Sequence, residues 1–230
     1  MKHLLSTIIF IFAITPMNSQ IINSIGIKGG ASFANQLWFY KSTNYTAARQ
    51  YKTGMYGAAT IDFFKATYLN LTADVGFCQK GNKETGVLLP DKTTTNYTTT
   101  FNYITLSPML KIKYPFKHII PYGLLGLRCD YQLSYTSTHD YSSIESDFHK
   151  VIFGMSSGAG VEYKLKNIGI NVEFQYHYDF SKVMDTHTDG IVSGILVYNN
   201  AYIISAGVKY YLHKKESKTD ALKTAAVSGL

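Results

Sequence analysis

Apolar and polar residues alternate with a period of two along most of the chain. In Ile168–Phe180, every second residue from Ile168 onward is apolar or aromatic, and the residues between them are glycine, polar or charged. A helix would bring residues three and four apart onto one face, and in this segment such residues conflict in polarity. The segment is therefore predicted to be a β-strand with one apolar face.

Seven other segments show the same alternation, which predicts eight strands with uncharged apolar faces. The strands are predicted at 25–33, 55–63, 69–77, 104–114, 123–133, 151–163, 168–180 and 202–212. The gaps between them contain 21, 5, 26, 8, 17, 4 and 21 residues, so long and short connections alternate. Outer-membrane barrels have this order of external loops and periplasmic turns. The polar stretch Thr93–Thr100 (TTTNYTTT) is predicted to lie in an external loop.

An all-β, eight-stranded antiparallel up-and-down transmembrane barrel is the predicted fold, and a soluble lipocalin-like barrel is the alternative. Aromatic residues near the predicted strand ends favour the membrane, because aromatic girdles mark its two interfaces. The strand face opposite the apolar one carries both signs of charge, which is expected of a lumen where ions pair. These predicted interior residues are Lys28, Asp62, Asp74, Lys111, Lys113, Arg128, Asp130, Glu162, Glu173, His177, Asp179 and Lys209.

The start of the chain has the pattern of a secretory signal. Lys2 and His3 precede the apolar run Leu4–Ile14, and Pro16 ends it. A run of this length is too short for a helix that spans a bilayer, which needs about 20 residues. We expect a signal peptide over residues 1–20, a barrel over 21–212 and a disordered periplasmic tail over 213–230.

Composition agrees with a membrane barrel more than with other classes. Only 16% of residues are charged, whereas soluble domains have about 25%. The net charge of +7 is not arranged in a stripe, and an exported protein is not expected to bind nucleic acid. Two cysteines are too few for a disulfide scaffold or a cysteine-built zinc site.

Four segments resemble the PorT-like outer-membrane β-barrel proteins of Bacteroidota. They are IGIKGGASFANQ (25–36), TLSPMLKIKYPF (105–116), PYGLLGLRCDYQLSY (121–135) and SAGVKYYL (205–212). The resemblance implies an outer-membrane location and an eight-stranded barrel without a defined activity. Some members of the family resemble a component of gliding and type IX secretion. The 18 residues after Leu212 depart from barrels that end at a terminal aromatic residue.

Hydrolytic chemistry is one alternative that the interior residues leave open. His177 and Asp179 share a strand face, and Ser156 or Ser205 on a neighbouring strand could complete a triad. A network of paired interior charges explains the same residues. We therefore expect no catalytic site.

Three further groups of residues are candidates for binding or disulfide sites. Residues 185–190 (DTHTDG) have the outline of the start of a calcium loop, but the third position is His187 and the twelfth is Leu196 instead of glutamate. Cys78 and Cys129 lie on predicted strands that are separated by another strand, which is too far for a bridge, so free thiols are expected. No metal or cofactor is expected, although four loop residues could bind a transition metal. These are His139, Asp140, His149 and His187.

The predicted function is that of a monomeric, non-catalytic scaffold or binding module in the outer membrane. It would contact lipid and a protein partner through its loops or its periplasmic face. A small pore or transport accessory is the second hypothesis, and a lipid-modifying enzyme is the third. Eight strands give a lumen that side chains fill, which argues against free diffusion.

Overall fold

The computed structural model shows that the chain forms a closed antiparallel barrel. It describes residues 21–41, 44–88, 93–138, 148–186 and 194–212. Eight long strands and two short ones form one sheet, and the first and last strands pair to close it. The strands are β1 (Ile22–Tyr40), β2 (Tyr45–Ala48), β3 (Gln50–Phe63), β4 (Leu69–Leu88), β5 (Thr93–Lys113), β6 (Ile119–Ser137), β7 (Val151–Leu165), β8 (Ile168–Asp179), β9 (Met184–Asp185) and β10 (Ile195–Tyr211).

The predicted fold and all eight predicted strands are confirmed. Each long strand pairs with its neighbour in the chain, and β1 pairs with β10 from Ser24↔Tyr211 to Tyr40↔Ile195. Within the described residues, no helix is long and apolar enough to cross a membrane.

The stagger of the barrel follows from the strand register. A line of directly opposed residues that starts at Ser24 and crosses each long strand returns to β1 at Ala34, ten residues further along. Ten residues of stagger over eight strands correspond to a tilt of about 40°, which is usual for closed barrels. The strands are therefore wound tightly enough for side chains to fill the lumen.

One end of the barrel has short turns, and we call it the turn end; the other is the loop end. The connections at the turn end are residues 64–68, 114–118 and 166–167. In outer-membrane barrels the short connections face the periplasm. The turn end is therefore assigned to the periplasm and the loop end to the exterior.

The prediction of a loop at Thr93–Thr100 is wrong, because this stretch forms the first part of β5. β4 and β5 contain 20 and 21 residues, about twice the number needed to cross a bilayer at a tilt. Threonine is β-branched and fits a pleated strand, and above the membrane neither face needs to be apolar. The two strands therefore project beyond the membrane as a hairpin.

A polar row on the outer surface marks where the lipid-facing band ends. The Gln79 side-chain amide donates to Asn102 Oδ1 at 2.9 Å, and the Asn102 amide donates to Ser134 Oγ at 2.9 Å. On the turn-end side of this row the outward residues are apolar, including Val75 and Ile104, which are each nearly half exposed. This exposed apolar band is the surface that contacts lipid.

Candidate functional site: the barrel interior

The structure directs the predicted polar strand face into the barrel. Eleven of the twelve predicted interior residues are buried, and Lys113, at the end of β5, is half-buried. Their side chains form three groups of ion pairs at successive levels of the lumen. The turn-end cluster, the middle cluster and the upper cluster are described in that order.

The turn-end cluster contains two lysines and two carboxylates. Lys209 Nζ lies 3.0 Å from Asp62 Oδ2, and Lys111 Nζ lies 3.1 Å from Glu162 Oε2. Lys111 also approaches Asp62 at 3.7 Å, so the two pairs are linked. The Tyr211 hydroxyl donates a hydrogen bond to Glu162. The formal charges of these four ions cancel, which offsets the cost of removing them from water.

The middle cluster has one cation for two carboxylates. Lys28 Nζ lies 2.6 Å from Asp74 Oδ2 and also pairs with Glu173. Neutral donors complete the shell of Glu173, since the Tyr122 hydroxyl donates at 2.9 Å and the Gln175 amide at 2.6 Å. Hydrogen bonds to a carboxylate stabilise its charge. The neutral donors therefore compensate for the missing second cation.

The upper cluster includes a lysine that the sequence analysis missed. Lys80 Nζ lies 2.6 Å from Asp130 and 3.3 Å from Asp179, and its side chain is fully buried. Arg128 Nε lies 3.1 Å from Asp130, and its guanidinium also pairs with Asp179. Gly154 leaves room for this arginine, because a Cβ there would lie 2.6 Å from Nη2.

Lys80 was missed because strand 69–77 was predicted to end too early. The alternation continues beyond Phe77, and Lys80 and Asn82 stay on the inward side of β4. The outward residues of this part of β4 include Gln79 and Lys83, so the apolar signal that defined the strand disappears where the strand leaves the lipid. The continuing period of two was the signal that could have found Lys80.

His177 and Ser156 lie directly opposite each other on β8 and β7. The His177 Nε2 atom is 2.8 Å from Gln175 Oε1, whereas Asp179 is held by Lys80 and Arg128. A Ser-His-Asp triad needs the acid to orient the histidine and the histidine to contact the hydroxyl. The described contacts include neither interaction. This geometry supports a structural role for His177.

Apolar side chains fill the lumen above the upper cluster, which the sequence analysis did not predict. Trp38 and Phe101 lie there with Val183 and with residues from β7, β9 and β10, and aromatic rings stack on one side, with the Phe101 and Tyr135 centroids 5.9 Å apart. We call this group the mouth cluster. Its buried members are Trp38, Phe101, Tyr103, Ile152, Val183, Met184 and Val197.

Residues 180–186 form a strap across the mouth cluster. β9 lies within the strap and pairs with β10, and the Val183 carbonyl accepts a hydrogen bond from the His149 amide at 2.9 Å. Asp185 fastens the strap, because Lys182 and Lys41 each place Nζ within 2.8 Å of its carboxylate. The hydrogen bonds from these lysines lower the pKa of Asp185 to about 2.

The structure describes only some residues of the candidate metal and calcium sites. His139, Asp140, His187 and the later residues of the calcium-like segment lie outside the described residues. In the part of the chain that the structure describes, no three histidine, cysteine or acidic side chains form a metal-binding group. Cys78 is buried in the lumen and Cys129 is half-buried on the outer face, and both are free thiols.

The fold and the polar lumen define a transmembrane β-barrel of the outer-membrane type. The chain belongs to the outer membrane protein beta-barrel domain family, whose model matches residues 18–185. It is therefore a protein of the outer membrane whose apolar band contacts lipid. The family model does not distinguish a PorT-like subgroup.

Solved structures with similar folds are also outer-membrane barrels. The chain is similar to OprG from Pseudomonas aeruginosa, with 13% identity, a TM-score of 0.50 and coverage of 86% of this chain and 100% of OprG. It is similar to AlkL in lipid bilayers, with 12% identity, a TM-score of 0.49 and coverage of 88% and 96%. At these identities the similarity concerns the fold. No curated protein sequence matches the chain.

Proposed function

We propose that this protein is a non-catalytic outer-membrane scaffold or binding module that contacts a protein partner through its loops or its periplasmic face. The observation that carries the proposal is the filled lumen. Three ion-pair clusters and the mouth cluster occupy the interior from the turn end to the loop end. The outer surfaces are then the parts of the protein that remain available to a partner.

The finer features of this proposal come from the sequence. We propose that residues 1–20 are a signal peptide, that the barrel is a monomer, and that it is a PorT-like protein of a member of the Bacteroidota. An accessory role in secretion is the form of scaffold function that this resemblance supports. The 213–230 tail would lie on the periplasmic side, since β10 ends at the turn end.

A small pore or transport accessory is the second candidate function, and one observation favours it. Several buried polar atoms in the lumen have no partner among the described residues, including Asp74 Oδ1, Ser205 Oγ and His177 Nδ1. Buried polar atoms usually bind ordered water when no protein partner is present. Such water would supply a hydrated path between the clusters.

Single-channel conductance of the purified protein in a planar bilayer separates these two functions. Folding is confirmed beforehand by heat-dependent mobility on a gel. A folded barrel without channel openings is the expected result, because the ion pairs block the lumen. Discrete openings would overturn the scaffold proposal in favour of the pore.

The absence of catalysis is tested with His177→Ala and Ser156→Ala. We expect the parent and both variants to show the same background hydrolysis of phospholipid and ester substrates. An activity in the parent that either substitution removes would contradict the proposal. His118→Ala is the matched control, because this histidine is exposed at the turn end.

A further inference from the structure

Each of the three turns at the turn end carries an exposed lysine. Lys65 lies in the turn between β3 and β4, Lys117 in the turn between β5 and β6, and Lys166 in the turn between β7 and β8. Successive turns are separated by two strands, and neighbouring strands lie about 4.8 Å apart. At a tilt of about 40°, the backbones of successive turns are therefore about 12 Å apart around the rim.

No acidic residue accompanies these lysines in the turns. Segments 63–69, 113–119 and 163–168 contain five lysines and one histidine, with no aspartate or glutamate. The lysines are Lys65, Lys113, Lys117, Lys164 and Lys166, and the histidine is His118. The nearest carboxylates, Asp62 and Glu162, are buried and paired inside the lumen. Among the residues that the structure describes, the rim is therefore a positive surface without a neighbouring exposed carboxylate.

Two of the lysines occupy backbone positions that disfavour a lysine. Lys117 has φ of 52° and Lys166 has φ of 36°, in the left-handed region that glycine and asparagine adopt most readily. Turns in this conformation usually contain glycine, and a larger side chain there is strained. Each lysine is therefore present at a cost in backbone strain that glycine would relieve, and Phe64 in the first turn has the same conformation.

Exposed aromatic rings flank the lysines on the outer surface. The Tyr68 and Tyr114 centroids are 6.2 Å apart, and those of Tyr114 and Phe116 are 4.6 Å apart. All three side chains are more than half exposed, as expected for a girdle at the level of lipid headgroups. The lysines in the same turns therefore lie beside the phosphate layer of the membrane.

We propose that this rim binds the phosphate groups of anionic phospholipids in the inner leaflet of the outer membrane. Lysine side chains attract anionic headgroups, and the flanking rings hold the rim at the depth where these headgroups lie. The inference shares with the proposed function only the assignment of the turn end to the periplasm. Channel openings would overturn the scaffold role without affecting lipid binding, so the two failures are distinguishable.

Native mass spectrometry of the full-length protein in detergent micelles tests the proposal. The protein is titrated with dioleoylphosphatidylglycerol, with dioleoylphosphatidylcholine and with glycerol 1-phosphate. We expect preferential binding of phosphatidylglycerol, because it combines an anionic phosphate with chains that lie along the barrel. Equal binding of phosphatidylcholine, or equally tight binding of glycerol 1-phosphate, would overturn the proposal.

The double variant Lys117→Gly/Lys166→Gly separates binding from folding. Glycine relieves the left-handed strain, so the variant is expected to unfold at the same temperature as the parent or higher. Its affinity for phosphatidylglycerol should fall about 25-fold, since one lysine near an anionic surface contributes about five-fold. Unchanged affinity in this folded variant would overturn the proposal.

Lys83→Gln/Lys150→Gln is the matched control. It also removes two exposed lysines, but these lie toward the loop end. We expect it to bind phosphatidylglycerol as the parent does. An equal loss of affinity in this control would show that net charge alone decides binding, which would overturn a site at the rim.

Discussion

The lumen is filled in two different ways, and the membrane explains the difference. Within the membrane-spanning part, charged side chains pair in three clusters, and the apolar residues face outward to the lipid. Near the loop end the arrangement changes, since the mouth cluster buries aromatic and aliphatic side chains inside the barrel. The outward residues at this height include the polar row Gln79, Asn102 and Ser134. Inside the membrane, charged side chains therefore face the lumen and apolar side chains face the lipid. Beyond the membrane, apolar side chains face the lumen, as in the core of a soluble protein.

This comparison indicates that the two regions are stabilised by different forces. Removing one ion from a buried cluster leaves its partner charged and unpaired, which is far more costly than the net gain from forming the pair. Removing an apolar side chain from the mouth cluster leaves a cavity whose cost depends on how well the strap can close over it. Loss of one ion from a cluster is therefore expected to destabilise the whole barrel. Loss of an apolar side chain from the mouth cluster is expected to open the structure only locally.

The largest effect is expected from Arg128→Ala. The substitution leaves Asp130 and Asp179 with Lys80 as their remaining cation, so the free energy of unfolding should fall by about 3–5 kcal/mol. Urea unfolding followed by heat-dependent gel mobility measures this loss. Lys113→Ala is the control, because Lys113 is only half-buried. A variant at Arg128 that unfolds like the parent would show that the upper cluster does not stabilise the barrel.

An asymmetric effect is expected within the middle cluster. Lys28→Met should destabilise the barrel by about 3–5 kcal/mol, because it leaves two buried carboxylates without a cation. Glu173→Gln should change stability by less than about 1 kcal/mol, since it removes the excess negative charge, keeps an oxygen that accepts from Lys28 and Gln175, and has an NH2 group that can donate to the Tyr122 hydroxyl. Comparison of the two urea midpoints checks this order. Equal losses would contradict the description of one cation shared by two acids.

A local effect is expected from Phe101→Ala in the mouth cluster. Its cost of about 3 kcal/mol should appear as opening of the strap, because the short strap packs on the cluster through Val183 and Met184, whereas the long strands that contribute to the cluster are also held by their ladders and ion pairs. Limited proteolysis of the folded protein should cut residues 180–186 faster, while gel mobility stays that of a folded barrel. Loss of the folded band together with strap cleavage would mean that the two regions are one cooperative unit.

The smallest effect is expected from Asp185→Asn. The ion pairs of Asp185 lie at the surface, with Lys41 exposed and Lys182 and Asp185 half-buried, and surface pairs contribute about 0–1 kcal/mol. Because the folded pKa is lowered from 3.8 to about 2, their contribution is present above pH 3.8 and is lost as the pH falls toward 2. Proteolysis of the strap at pH 6 and pH 2 measures this, and the variant should show no such pH dependence.

Sequence reasoning worked where the membrane imposes a simple rule. Lipid requires an apolar outer face, so the period of two identified all eight strands and placed Arg128, Asp130 and Glu162 on the inward side. The rule no longer applies beyond the polar row. There the inward positions of Lys80 and Trp38 were missed, and Thr93–Thr100 was assigned to a loop. The partners within each cluster were also beyond sequence reasoning, because a pairing such as Lys80 with Asp179 joins β4 and β8, which lie four strands apart in the barrel.

The sequence by itself determined the class of fold, the order of the strands and the face on which the charges lie. These follow from local alternation, which the contrast between lipid and lumen imposes on every strand. The tertiary structure decided the stagger of ten residues, and with it the level at which each charge meets its partners. It also decided that the strap would cover the mouth cluster, because that contact joins residues that are distant in the chain and become neighbours only when β1 pairs with β10.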